Sequence, residues 1–221
     1  MKQKRKILLL GATGRTGKLV LKKAVESGYA VNCLSRNSDR IEKQNGLTLF
    51  EGNPNHKPDL EKAISDCNAV ISVLNISRRS DFPWAKLKTP GNYLSDVMKL
   101  LVSIAEKKNI NRLAVVSAWG ASETNNDIPK WFKWFIKNSN IGITYEDHER
   151  QEKLVTESKL AWTIIRPVGL TNSMREENIK ETIDNKPKPS LTISRQSVAQ
   201  YLVGCLNETE LIRKKIVISK K

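Results

Sequence analysis

The sequence predicts an α/β fold: a doubly wound, mostly parallel sheet with helices on both faces. Three observations carry that prediction. Short apolar runs alternate with helical patterns along the whole chain. A glycine-rich turn follows the first apolar run at once. The length of 221 residues suits one domain of this kind with a substantial core. Charged residues at 28% and hydrophobic ones at 39% are ordinary for a globular protein.

The first run, Ile7 to Leu10, reads as a buried strand. Gly11-Ala12-Thr13-Gly14-Arg15-Thr16-Gly17 follows, then a helical pattern with Leu19, Val20, Ala24 and Val25 on one face, closed by Gly28. Ala30 to Ser35 reads as the second strand. Strand, glycine turn, helix and strand in this order form half of a dinucleotide-binding fold. The chemistry explains the spacing. Gly11 permits the sharp turn, Gly14 lets backbone approach a pyrophosphate, and Gly17 lets the helix lie close to the sheet. The helix-start amides hold phosphates, Thr13 and Thr16 add hydroxyl donors, and Arg15 lies in the same turn. An acidic residue ending the second strand would hold the ribose 2′-hydroxyl of NAD. Arg36 stands there instead, with Ser38 and Arg40 behind it. A guanidinium suits a 2′-phosphate, so NADP(H) is favoured over NAD(H).

The alternation continues. Leu47 to Glu51 reads as a third strand, and Asn53 beyond it is placed to meet an adenine. Pro58 starts a short helix over Asp59 to Ile64. Ala69 to Leu74 reads as a central fourth strand, whose exit, Leu74-Asn75, faces the cofactor, because ligands sit at the carboxyl ends of parallel strands. Ser77 to Gly91 is a polar loop. Tyr93 to Lys107 is a long helix with a broad apolar face. Arg112 to Ser117 is the fifth strand, leading to Ser117-Ala118-Trp119-Gly120. Pro129 to Ile136 is a short helix in which Trp131, Trp134 and Phe135 share a face, expected to pack on the sheet, with a substrate-pocket wall as the alternative.

Ile143 to Ser158 is a second long helix carrying Tyr145 and His148. Ala161 to Arg166 is the sixth strand, stopped by Pro167. Thr171 to Pro189 is polar and reads as a lid or flexible excursion. A short strand at Leu191 to Ser194, a helix over Ser197 to Leu206 and a closing strand at Lys215 to Ile218 complete the chain. Residues 1–221 are read as one domain with a small substrate-side or lid region near 167–194.

Composition narrows the function classes. No apolar run approaches the roughly 18 residues of a membrane span, so no membrane partner is expected. MKQKRK runs straight into the first strand without a signal-peptide pattern, and Cys33, Cys67 and Cys205 are few, odd in number and scattered. Reduced thiols, a cytoplasmic location and no metal site are expected. The net charge of +15 raises nucleic-acid binding, but the lysines are dispersed without a basic stripe, which favours a solvated surface attracting an anionic cofactor.

Three stretches resemble a known family: GATGRTG with LSRNSDRI, NRLAVVSAWGAS, and HERQEKLVTESKLAWTIIRPVGLTN. The chain looks like an atypical short-chain dehydrogenase/reductase of the NAD(P)H-binding, NmrA-like kind, and is similar to the biliverdin reductase B and flavin reductase group. The resemblance implies a Rossmann-like sheet with NADPH along its carboxyl edge. It implies Gly11, Thr13, Gly14, Thr16 and Gly17 at the pyrophosphate, and Arg36 and Arg40 at the 2′-phosphate. Ser117 would lie near the nicotinamide, with Pro167 to Leu170, Val168 among them, packing alongside it.

The family's Tyr-x-x-x-Lys pair is missing, since Glu149 follows Tyr145 by four. His148 stands about where related proteins carry the lysine or a histidine. It is expected either to hydrogen-bond the nicotinamide ribose or to protonate a substrate near neutral pH. Ser117 is expected to orient a substrate carbonyl. A flavin, quinone or enone can accept hydride without the tyrosine, so an NADPH-dependent reductase of a planar small-molecule acceptor is the first expectation. The alternative is a non-catalytic NADP(H)-binding redox sensor acting through a protein partner.

Overall fold

The computed structural model describes residues 5–110 and 112–221. The leader reading on Met1 to Lys4 lies outside the described residues. Strands β1 (Lys6–Leu10), β2 (Ala30–Ser35), β3 (Leu47–Glu51), β4 (Ala69–Ser72), β5 (Arg112–Val116), β6 (Trp162–Pro167) and β10 (Lys214–Lys220) are parallel neighbours in one sheet. Its order is β3-β2-β1-β4-β5-β6-β10-β8, with β8 (Ile179–Thr182) antiparallel to β10 at the edge. A second pair joins β7 (Gly169–Thr171) to β9 (Thr192–Ser194).

Both faces of the sheet are covered, which is why its strands are apolar throughout and not alternating. Ile7 and Leu9 of β1 point into one core with Val20, Ala24, Val198 and Leu202, from α1 (Arg15–Glu26) and α6 (Arg195–Gly204). Leu8 and Leu10 point into the other with Leu60, Val97, Leu101 and Val155. Those belong to α2 (Lys57–Ala63), α3 (Tyr93–Lys107) and α5 (Ile141–Glu157). The remaining helix, α4 (Lys130–Lys137), is short and peripheral.

Three differences from the sequence reading have physical causes. The fourth strand stops at Ser72, two residues before the expected end, where the sheet opens beside Gly11. Thr171 to Pro189 supplies β8: Val217 to Lys220 of β10 offers a free edge, and Ile179–Thr182 fills it. Trp131 and Trp134 do not pack on the sheet; they are 65% and 63% exposed. The apolar side of so short a helix looks the same in sequence whether it faces a core or water.

The strand order reverses between β1 and β4. In an open α/β sheet the crevice outside the carboxyl ends at that point is where ligands bind.

Candidate functional site

A cleft of about 630 Å³ opens at this switch point. Gly14, Arg15, Thr16, Gly17, Leu74, Asn75, Ser117, His148, Pro167 and Val168 line it together, all of them singled out from the sequence. It is walled further by Arg78, Asp81, Trp119, Phe132, Thr144, Tyr145 and Arg195.

The glycine turn is built as a cradle. Gly11 takes φ +89°, and a Cβ there would lie 2.8 Å from the carbonyl oxygen of Val73. A Cβ on Gly17 would meet the Gly11 carbonyl oxygen at 2.0 Å, so the start of α1 sits directly on the turn. The Gly14 N–H donates to Gly11 O at 3.0 Å, closing the turn. No side chain caps α1, and its first turn holds no acidic residue. The first amides of a helix have no intrahelical acceptor, so this uncapped start is fitted to an anion. Gly11 and Thr13 shape the turn but do not line the cleft.

Arg15 reaches across the cleft. Its guanidinium donates to both Asp81 carboxylate oxygens, at 3.0 and 2.8 Å, joining the start of α1 to the loop after β4. Arg195 donates to Asn172 Oδ1 at 2.6 Å at the same cleft's rim.

The polar floor comes from β5, β6 and α5. Ser117 directly follows β5 and is 4% exposed; its Oγ meets no hydrogen-bond partner within 3.5 Å, although it lies near enough to Glu152 to help hold that carboxyl low. Thr144 Oγ1 on α5 is likewise buried without a partner. Two orphaned hydroxyls lining one cleft suit a polar ligand, because burial without a bond costs about 1–3 kcal/mol. One turn on from Thr144, His148 is 4% exposed, and burial pushes its pKa down to about 4 despite the Glu152 and Asp147 carboxylates, which pull it up. Gln151 Nε2 donates to Val116 O at 3.1 Å and lies 3.4 Å from His148 Nδ1. With Gln151 donating, the neutral ring carries its proton on Nε2. Tyr145 Oη donates to Trp119 O at 3.3 Å, and burial raises its pKa.

Behind this floor α5 is locked in place. Asp147, fully buried, accepts from the Leu94 N–H at 2.6 Å and from Ser95 Oγ at 2.6 Å, capping α3 from a neighbouring helix. Arg166 of β6, 2% exposed, donates to Glu152 Oε1 at 2.8 Å and to both oxygens of Glu123, at 2.8 and 3.0 Å. Ser122 Oγ donates to Glu152 Oε2 at 2.7 Å. Burial alone would raise the Glu152 carboxyl; the Arg166 guanidinium outweighs it and holds the pKa low.

The other sequence candidates lie outside the main cleft. Arg36 is exposed at the end of β2, its guanidinium carbon 5.7 Å from the centre of the Tyr93 ring. Arg40 lines a separate cavity of about 260 Å³ with Ala12 and Lys18, on the glycine turn's other side. Asn53 is in a turn, its Oδ1 accepting from the Asn55 N–H at 3.1 Å.

Sequence reasoning missed Arg78, Asp81, Thr144, Gln151 and Arg195. For Thr144 and Gln151 a signal existed: they stand four before and three after His148, on one helical face. The loop residues and Arg195 carried none, because only the sheet topology brings them to the switch point.

The fold and cleft define an α/β dinucleotide-binding protein. The family model described as NAD(P)H-binding matches residues 11–209, and the chain belongs to that family. It is 26% identical over 132 residues to the probable pinoresinol-lariciresinol reductase 3 of Arabidopsis thaliana, covering 58% of this chain and 38% of that one. The chain thus spans well under half the length of that curated relative. Among solved structures it is similar to a short-chain dehydrogenase/reductase from Veillonella parvula DSM 2008 in complex with NADP. The TM-score there is 0.79, with 21% identity over 99% of this chain and 95% of that one. It is also similar to ChuY, an anaerobillin reductase from Escherichia coli O157:H7. That match has a TM-score of 0.80, with 18% identity over 97% of each chain.

Proposed function

We propose that this protein is an NADPH-dependent reductase of a planar small-molecule acceptor such as a flavin, quinone or enone. One observation carries the reading: a single cleft joins an uncapped glycine-turn helix start to two orphaned hydroxyls and a neutral histidine. The reductase names of the Arabidopsis relative and of ChuY support the reaction class.

In this account the amides of Arg15, Thr16 and Gly17 hold the pyrophosphate, with the Arg15 guanidinium exchanging Asp81 for phosphate oxygens. Arg36 and Arg40 select the 2′-phosphate. The bound cofactor supplies a hydride. His148, neutral at pH 7, donates Nε2–H to the nicotinamide ribose, and Gln151 fixes that tautomer. Its low pKa argues against the role of proton donor near neutrality. Ser117 and Thr144 orient the acceptor through hydrogen bonds, with Val168 and Trp119 excluding water beside it. The acceptor gains the hydride and one proton from solvent, so no tyrosine acid is required.

The test is NADPH oxidation by the purified protein against a panel of flavins, quinones and enones. Acceptor-dependent turnover that falls at least tenfold in Ser117→Ala is expected. No turnover with any acceptor, while NADPH binding is intact, would remove the reductase reading.

A further inference from the structure

The aromatic side chains of α4 form a surface, not a core. Trp131 and Trp134 are joined there by Phe82 and Trp84 of the loop after β4, 61% and 47% exposed. Five of the rings form one continuous run: Phe82 and Trp84 lie 5.2 Å apart by centroid, Trp84 and Phe135 5.9 Å, Phe135 and Phe132 6.4 Å, and Phe132 and Trp131 5.4 Å, with the exposed Trp134 three residues along the helix from Trp131. Single exposed apolar residues are ordinary, but a contiguous patch marks an interaction site. The patch is also rigid. Trp84 Nε1 donates to Asn138 O at 2.7 Å, and Asn140 Nδ2 donates to Trp84 O at 2.8 Å, tying loop to helix.

Its charge says what covers it. The helix reads KWFKWFIK, with Lys130, Lys133 and Lys137 and no carboxylate. The loop adds Lys86 and Lys88, and its one acid between 77 and 91, Asp81, is engaged by Arg15. Among the described residues these five lysines form no ion pair. The centre of a protein–protein interface is depleted in lysine, whereas here lysine alternates with tryptophan and phenylalanine. Lysine on a helix with exposed aromatics is the composition of segments that lie in a bilayer interface, where indole suits the headgroup level. The net charge of +15 adds attraction to an anionic surface.

We propose that this face is a peripheral docking surface for an anionic lipid bilayer, with Trp131 and Trp134 at headgroup level and the lysines against anionic headgroups. Surface adsorption needs no spanning helix, so the expectation of no membrane partner, drawn from the lack of a span, does not bear on it. The patch also continues into the cleft. Phe132 lines it, with its ring centroid 6.3 Å from that of Tyr145, so a docked bilayer would lie against the cleft's aromatic wall.

The test is sedimentation of the full chain with vesicles of phosphatidylglycerol and phosphatidylcholine, against vesicles of phosphatidylcholine alone. It reads binding without turnover and is independent of the reductase reading. Binding to the anionic vesicles is expected, with a blue shift of tryptophan emission and weakening in high salt. W131S/W134S should lose about tenfold or more in affinity, and each of K130Q, K133Q and K137Q about fivefold. Unchanged thermal melting would show that these variants fold. Failure to bind anionic vesicles at low salt would overturn the proposal, as would binding undiminished in W131S/W134S. Lipid-free dimerisation abolished by W131S/W134S would also overturn it, assigning the face to a second copy.

Discussion

Arg166→Met tests the support beneath the cleft. Arg166 and Glu152 are each 2% exposed, and the guanidinium is the counter-charge that keeps Glu152 ionised. Methionine fills similar volume but leaves a buried carboxylate unpaired. Breaking one side of a buried pair costs about 3–5 kcal/mol. At this chain length, with about 2–4 °C lost per kcal/mol, that is a fall in Tm of about 10 °C.

The loss depends on pH with a definite sign. In the native chain the Glu152 pKa is lowered, so its contribution is present above the unfolded value and fades as pH falls through the folded one. In the variant burial is opposed only by the Ser117 and Ser122 hydroxyls, and it raises the carboxyl. Its penalty is then absent when Glu152 is protonated and grows as pH rises through the raised pKa. Urea melts at pH 7 and near pH 4 should therefore show a larger loss at pH 7. Arg166→Met combined with Glu152→Gln should recover much of it. A loss under about 1 kcal/mol at pH 7, or an equal loss at both pH values, would refute the reasoning.

Other predictions are checked more simply. His148→Asn should lower kcat while leaving NADPH affinity within a few fold, and the native pH–rate profile should show no limb from His148 between about pH 5.5 and 8, its pKa being about 4; a limb there that vanishes in the variant would reverse its assignment. Asp81→Asn frees Arg15 from its bidentate partner and should tighten NADPH binding a few fold in calorimetry; weaker binding would mean that the loop, not the phosphate, needs that pair. Cys33, Cys67 and Cys205 are buried thiols pushed up to about 12, so none should react with a thiol reagent at pH 8 until denaturant is added.

The sequence made the sheet legible where both faces are covered. Ile7 to Leu10 and Ala69 to Ser72 are apolar without alternation because helices bury each side. The glycine turn was legible because Gly11 and Gly17 meet backbone at distances no side chain tolerates. The strands Gly169–Thr171 and Ile179–Thr182 were not. They are short, polar and partly exposed, and only pairing partners distant in the chain make them strands. The cleft was half legible: the strand ends and helix start follow from the βαβ pattern, whereas Asp81 and Arg195 arrive on segments whose path no local signal gives. The tryptophans of α4 were misread because their helix carries the pattern of a core face and turns it outward.

The central claim is that the protein binds NADPH with its pyrophosphate on the glycine turn at the sheet's switch point and its 2′-phosphate at Arg36, beyond the cleft at the end of β2. Isothermal titration with NADPH and NADH, on the native chain and on Arg36→Ala, tests it most directly. The account predicts tighter binding of NADPH, and a loss of about 10–100-fold for NADPH in the variant, the worth of one charge-assisted hydrogen bond, with NADH changed by less than about threefold. Equal affinities in the native chain, or an equal loss for both nucleotides, would contradict the assignment of Arg36.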